Sequence, residues 1–197
     1  MQATTIAALS GHSTTAPAWR VGRWFNTPQP LTLAGLCGRV VVLHTFQMLC
    51  PACVSHALPQ ASLTRSLFDE RDVSVIGLHT VFEHHAVMNV AALETFIHEY
   101  RLAFPIGVDE PAIGDPVPLT MRAYGLRGTP SVVVFDRQGA VRLSHFGHLE
   151  DMALGGVIGQ LIAERPSVAG SMQRTAVQTT TLDSADAGCN DDACVGP

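Results

Sequence analysis

Val40-Val-Val-Leu-His-Thr-Phe46-Gln-Met-Leu-Cys50-Pro-Ala-Cys53 is an apolar run that ends on two cysteines, and over residues 54–68 apolar side chains recur mostly at helical spacing. Residues 40–43 read as a buried strand, which puts Cys50 at the N-terminus of the following helix. Backbone N–H groups without intrahelical partners point out of such a terminus and favour a thiolate. The thiolate is the attacking species in disulfide exchange. Cys50, its pKa lowered there, is therefore the expected nucleophile, and Cys53, one turn further in, resolves the mixed disulfide. Half of a zinc site is the competing reading. A structural tetrahedral zinc needs a second Cys or His pair, and the other close Cys pair lies far off near the chain end.

A second stretch fits the first. Gly128-Thr129-Pro130 precedes Ser131-Val-Val-Val-Phe135, another buried strand, and a proline at a strand start can house a cis bond. A strand, a Cys-x-x-Cys opening a helix and a later Thr-Pro before a strand resemble the thioredoxin superfamily. The resemblance implies that Pro130 packs beside the two sulfurs, that the Thr129 backbone pairs with an extended substrate, and that Pro51 and Ala52 line the same place. Trp24 through Val42, Phe104-Pro105 with Asp109, Tyr124-Gly-Leu-Arg-Gly-Thr-Pro130 and Asp136-Arg-Gln-Gly139 resemble TlpA-type thiol:disulfide reductases, which overlap with peroxiredoxin-like redoxins. This likeness spans residues 21–164. It implies an α/β thioredoxin fold, a central mixed sheet flanked by helices, with a helix-strand insertion at 91–115.

The element pattern agrees. Strands are expected at 73–78 and 104–108, an amphipathic helix at 90–100, a short helix at 119–124, a hairpin joining 131–135 to 141–146 through the Asp136–Gly139 turn, and a last helix at 151–163. Trp24 and Phe25 are expected to pack just before the first strand. With 197 residues and 47 % hydrophobic composition the chain can bury one full core. Residues 1–20 read as a flexible segment, 21–165 as the domain, and 166–197 as a flexible tail of Ser, Thr, Gln, Gly and Asp.

A net charge of −5 argues against nucleic acid as a partner, and the basic residues, all Arg, form no helical stripe. The first ten residues lack a basic region and a long apolar core, and no segment is long enough to span a bilayer. The expected location is the cytoplasm, where a Cys-x-x-Cys works as a reductant, so the expected partners are a disulfide client and an upstream thiol reductant. No cofactor is implied.

The resolving thiol must lose its proton before it attacks. His44, six residues before Cys50, stands where thioredoxins often carry a buried Asp, and it shares a strand face with Phe46. It reads either as the proton acceptor or as a buried neutral histidine. Glu83 falls where TlpA-type reductases place an acidic residue near the dithiol, and competes for the role. His79, His84 and His85 read as a polar rim of the site rather than a metal cluster, and His145 and His148 as ordinary surface residues. Cys37 reads as a small turn residue.

Two further functional classes compete with this reading. A peroxiredoxin site resembles Pro-x-x-x-Thr-x-x-Cys, but here Gln47 stands in place of the hydroxyl and Leu43 in place of the proline. Cys189 and Cys194, close to the chain end, suit a mobile relay dithiol, a weak metal clamp, a sensor that reports to a partner, or no role at all. The Pro-Ala pair between Cys50 and Cys53 lacks the His of strongly oxidising relatives and tilts the reading toward reductant. Pro59 comes nine residues after Cys50, where TlpA-type chains have eight, so the first helical turns are expected to be rearranged.

Overall fold

The apolar run at 40–46 forms a strand and takes the middle of the sheet, because all seven of its residues are buried and only a strand covered on both faces reads as an unbroken hydrophobic run. The computed structural model describes residues 16–164, so Cys189 and Cys194 lie outside the described residues. In chain order the elements are β1 (Val21–Phe25), a 3-10 turn (Ala34–Leu36), β2 (Val40–Phe46), a π turn (Cys53–Ala57), α1 (Leu58–Leu67), β3 (Val73–His79), α2 (Val90–Glu99), β4 (Ile106–Asp109), α3 (Leu119–Ala123), β5 (Ser131–Phe135), β6 (Val141–Phe146) and α4 (Asp151–Ala163). The six strands form one sheet in the order β1-β4-β3-β2-β5-β6. β2, β3 and β4 run parallel, joined by the helical crossovers α1 and α2, while β5, β6 and β1 add antiparallel partners.

Alternation along β2 divides the core. Val40, Val42 and Phe46 pack with Leu58 and Ala61 of α1, Leu93 and Ile97 of α2, and Leu154, Ile158 and Leu161 of α4. Val41 and Leu43 point the other way, onto Val133 and Phe135, with Trp19, Leu36 and Tyr124 outside them. Cys53 belongs to the first cluster, so the dithiol grows from the helix-rich face of the sheet.

Trp24 and Phe25 do not precede the first strand. They lie within it: β1 pairs antiparallel with β4, Trp24 opposite Gly107 and Phe25 opposite Ile106. Five residues at a sheet edge, with Gly22 and Arg23 exposed, carry too little alternation to reveal this strand. Residues 16–20, assigned to a flexible segment from the sequence, are packed: Ala16 is buried, the Tyr124 hydroxyl donates to the Pro17 carbonyl at 2.5 Å, and the Arg20 N–H donates to Thr120 Oγ1 at 2.8 Å.

The end of β4 fixes the short α3. The buried Asp109 carboxylate accepts the backbone N–H groups of Thr120 at 2.8 Å and Met121 at 3.0 Å and the Thr80 hydroxyl at 2.9 Å. It satisfies orphan donors at the helix start from a neighbouring strand, since Pro118 in the cap position has no side-chain acceptor.

Helix continuity after the cysteines breaks where the proline spacing says it should. The helix begins at Pro51, widens to a π turn over Cys53–Ala57, in which the Leu58 N–H reaches the Cys53 carbonyl, and narrows to α at Leu58. One additional residue before Pro59 is absorbed in this way. Pro59 has no N–H to donate, so the change in hydrogen-bond spacing falls where one bond is missing in any case.

Candidate active site

Cys50 follows a tight turn in which its N–H donates to the Gln47 carbonyl at 3.2 Å, and it stands immediately before Pro51, the first helical residue. That is the N-cap position, where a side-chain acceptor is wanted, and the sulfur supplies it: the Cys53 N–H donates to Cys50 Sγ at 3.2 Å. On its other side Cys50 Sγ lies 3.6 Å from the Thr129 carbonyl oxygen, beside the cis Thr129–Pro130 peptide. Cys50, Cys53, Thr129 and Pro130, far apart in sequence, thus meet at one place. Both cysteines are free thiols; Cys50 is half-buried and Cys53 fully buried. Burial pushes the Cys53 thiol up to about 12, with Cys50 beside it adding to the rise, while the Gln47 backbone and the Thr129 side chain pull it down. The pair is asymmetric: one sulfur faces solvent on a helix terminus, and the other is held as a thiol beneath it.

Glu83 is exposed, and its Oε1 accepts Gln47 Nε2 at 3.5 Å. The same Nε2 donates to Thr129 Oγ1 at 3.4 Å, so one amide ties Glu83 to Thr129, whose carbonyl faces Cys50. His44 lies on the strand face shared by Val42 and Phe46, opposite Val132 of β5. It is 1 % exposed, and burial pushes its imidazole down to about 4, so it is neutral at physiological pH. Its Nε2 is buried without a partner, and the residue lines a small cavity with Gln60, Pro130, Ser131, Gly147 and His148, with room on the order of one water molecule.

His79 is not part of a polar rim. It ends β3 with 1 % exposure, 5.3 Å from the Phe46 ring, and burial lowers it to about 4. Strand β3 extends one residue past Leu78 and draws it into the sheet. His84 and His85 are exposed in the loop beyond. Among the described residues no three His, Cys, Asp or Glu side chains converge on a metal-holding position. The His148 ring lies tilted against that of His56 of the π turn, with ring centres 4.6 Å apart, and the His148 carbonyl lies 3.2 Å from His145 Nε2. Cys37 is exposed in the turn before β2. Pro51 and Ala52 occupy the first helical turn beside Cys50.

One residue of the site was not read as such. In the sequence Gln47 stands only where a peroxiredoxin has its hydroxyl, yet it is 1 % exposed and touches both Glu83 and Thr129. The available signal was its place between a buried strand and the cysteine turn, where a polar side chain needs a partner.

Residues 13–152 match the Redoxin family model, which is well over half of the chain. The chain belongs to the Redoxin family. The structure superposes on that of a thioredoxin-like superfamily protein, SPOA0173, with TM-score 0.75 and 48 % identity, covering 77 % of this chain and 97 % of that one. It also superposes on a thiol-disulfide isomerase from Corynebacterium glutamicum with TM-score 0.73 and 46 % identity, covering 76 % and 98 %. The sheet and its helices are those of the thioredoxin fold. NHL repeat-containing protein 2 of Gallus gallus is 30 % identical over 93 residues, 46 % of this redoxin; the alignment spans only 12 % of that much longer protein.

Proposed function

We propose that this redoxin is a thiol:disulfide oxidoreductase that reduces disulfides of proteins or small molecules through the Cys50-Pro-Ala-Cys53 dithiol. The observation that carries the reading is the asymmetry of the pair: a half-buried Cys50 sulfur capped by the Cys53 N–H, over a Cys53 thiol buried and pushed up to about 12. Cys50 attacks one sulfur of the client disulfide, the client S–S bond breaks, and the departing client sulfur takes a proton. Cys53 then gives up its proton and attacks Cys50, releasing the second client thiol and leaving a Cys50–Cys53 disulfide. The dithiol loses two electrons and the client gains two; an external thiol reductant restores the pair.

Thr129, Pro51 and Ala52 line the client in this reading, and Pro130 shapes the groove. Glu83 is the acceptor favoured for the Cys53 proton, because it meets solvent and is held toward Thr129 by Gln47. A protonated His44 is a buried cation with no described partner, so the imidazole stays neutral through the cycle. Cys189 and Cys194 are assigned the part of a second dithiol that passes electrons to Cys50 and Cys53.

Peptide mapping of a Cys53→Ser variant, without reductant, tests the scheme. Cys50 is expected in a mixed disulfide that persists. A bond to Cys189 or Cys194 supports the relay; a bond to glutathione or another protein, with the tail thiols free, removes the relay and names the client. Free Cys50 in the presence of a disulfide overturns the reading.

A further inference from the structure

Most arginines of the described chain meet a carboxylate, as Arg20 meets Glu110, Arg137 meets Asp72 and Arg142 meets Glu164. Arg127 is exposed and meets none among the described residues. It stands two residues before Thr129, whose carbonyl faces the Cys50 sulfur from 3.6 Å. What holds its guanidinium is a ring: the central carbon lies 5.2 Å from the centre of Phe146, which is 46 % exposed. A guanidinium over an aromatic face keeps its N–H donors, which lie in its own plane, free at the rim. The ring also restricts the rotamers open to the side chain, so less freedom is lost when a ligand docks. Phe146 is itself fixed. It pairs opposite Ser131 of β5, the Gly147 N–H donates to the Pro130 carbonyl at 2.8 Å, and only a glycine at 128 admits the ring, since a Cβ there sits 2.9 Å from it.

A fork of donors with no carboxylate of its own, carried by the loop that flanks the nucleophile, suits a carboxylate brought by the client. We propose that Arg127 is a specificity residue, selecting polypeptide clients that carry Asp or Glu close in sequence to the disulfide cysteine. The span from Arg127 to Thr129 is at most about 7 Å, and an extended client covers it in about two to three residues at roughly 3.3 Å each. A polypeptide is favoured over a small anionic disulfide because the nucleophile has apolar neighbours as well. Leu49, the residue before Cys50, is 59 % exposed, and glutathione offers no apolar side chain to meet it or the Phe146 ring. Glu83, tied to Thr129 through Gln47, repels the same carboxylate, so the effect of a client's charge depends on its place along the client chain.

The proposal rests on reduction of disulfides by Cys50 and Cys53, and its test separates the two claims. Pre-reduced full-length protein is mixed with disulfide-linked peptide dimers that differ in one residue, Glu or Gln, placed in turn at each of three positions on either side of the cysteine. Release of peptide thiol in a single turnover gives a rate constant for each, and the ratio of Glu to Gln cancels whatever a substitution does to both. The parent is expected to favour Glu about fivefold at its best position in low salt, the upper range for an exposed ion pair. The preference falls to about twofold or less near 1 M salt, where the screening length is about 3 Å. Arg127→Gln brings the ratio to one, and Arg127→Glu inverts it. A ratio of one at every position in the parent, or a preference that survives Arg127→Gln, overturns the role of Arg127 and leaves the dithiol in place. A parent that reduces neither peptide overturns the dithiol reading, and the proposal with it. Glutathione disulfide reduced faster than the best Glu peptide, and slowed as much by Arg127→Gln, overturns the polypeptide as the client.

Discussion

The backbone N–H of Cys53 points at the sulfur of Cys50 from 3.2 Å, while the Cys53 sulfur is itself shut away from water. The two thiols of one helical turn therefore cannot exchange roles. Cys50→Ser is expected to abolish disulfide reduction, by at least three orders of magnitude on the scale of a lost nucleophile. Cys53→Ser is expected to keep the first attack at close to the parent rate and to stop after one turnover. Alkylation by iodoacetamide at pH 7 checks the order: label is expected on Cys50 well before Cys53. Equal labelling of both sulfurs contradicts the assignment.

His44 and His79 make stability depend on pH in a defined direction. Both are buried and pushed down to about 4, whereas in the unfolded chain they titrate near 6.5. The unfolded state therefore binds protons that the native state refuses, and stability rises with pH across this window. It is fully present above about pH 6.5 and falls as the pH drops toward 4, by about 3 kcal/mol for each histidine at the limit. Urea midpoints measured from pH 4 to 7.5 test this. His44→Gln is expected to flatten part of the slope, and a variant as acid-sensitive as the parent removes His44 from the account.

Asp109 holds β4 to α3 with one buried carboxylate that accepts three hydrogen bonds. Asp109→Ala leaves two helix-start N–H groups and the Thr80 hydroxyl without a partner, and is expected to destabilise the fold by about 3 kcal/mol. Asp109→Asn, which keeps an acceptor and fits the space, is expected to cost less. Denaturant titration of both variants checks the order, and an Asn variant less stable than Ala reverses it.

Elements with a strong period were legible from the sequence, and so was the meeting of Cys50 with Thr129 and Pro130. β5, β6 and α4 fall where the sequence put them: β5 is buried throughout and α4 buries Leu154, Ile158 and Leu161, while β6, with Leu143 alone buried, follows from the Asp136–Gly139 turn. β1 was not legible: an edge strand in need of only one partner shows almost no alternation, and its pairing with β4 is a long-range fact. The π turn was half legible, because the position of Pro59 reported an extra residue but not how the backbone would store it. His79 was misread through one residue of strand length, which decides between a loop and a buried sheet position. Gln47 was missed because its partners, Glu83 and Thr129, lie 36 and 82 residues away.

Phe146 offers a test of how the groove selects clients. It closes β6 opposite Ser131, its ring is half-exposed, and the Arg127 guanidinium lies 5.2 Å from the ring centre. Gly128 makes this approach possible, because a Cβ there sits 2.9 Å from the Phe146 ring. The Gly147 N–H, donating to the Pro130 carbonyl at 2.8 Å, ties the same segment to the loop that faces Cys50. In the proposed reaction this aromatic shelf, tied to the loop whose Thr129 carbonyl faces Cys50, is a contact for a polypeptide client that a small disulfide does not need. Phe146→Ser is therefore expected to raise KM for a protein disulfide about tenfold, with kcat on a small aromatic disulfide unchanged, as one lost aromatic contact implies. Gly128→Ala is expected to act in the same direction by swinging the ring away, at a stability cost of about 1 kcal/mol, since the half-exposed ring can move more easily than the backbone. Parallel kinetics with an oxidised, disulfide-containing protein client and with the small disulfide decide the matter. An equal loss on both substrates assigns Phe146 to the support of the Thr129–Pro130 loop instead.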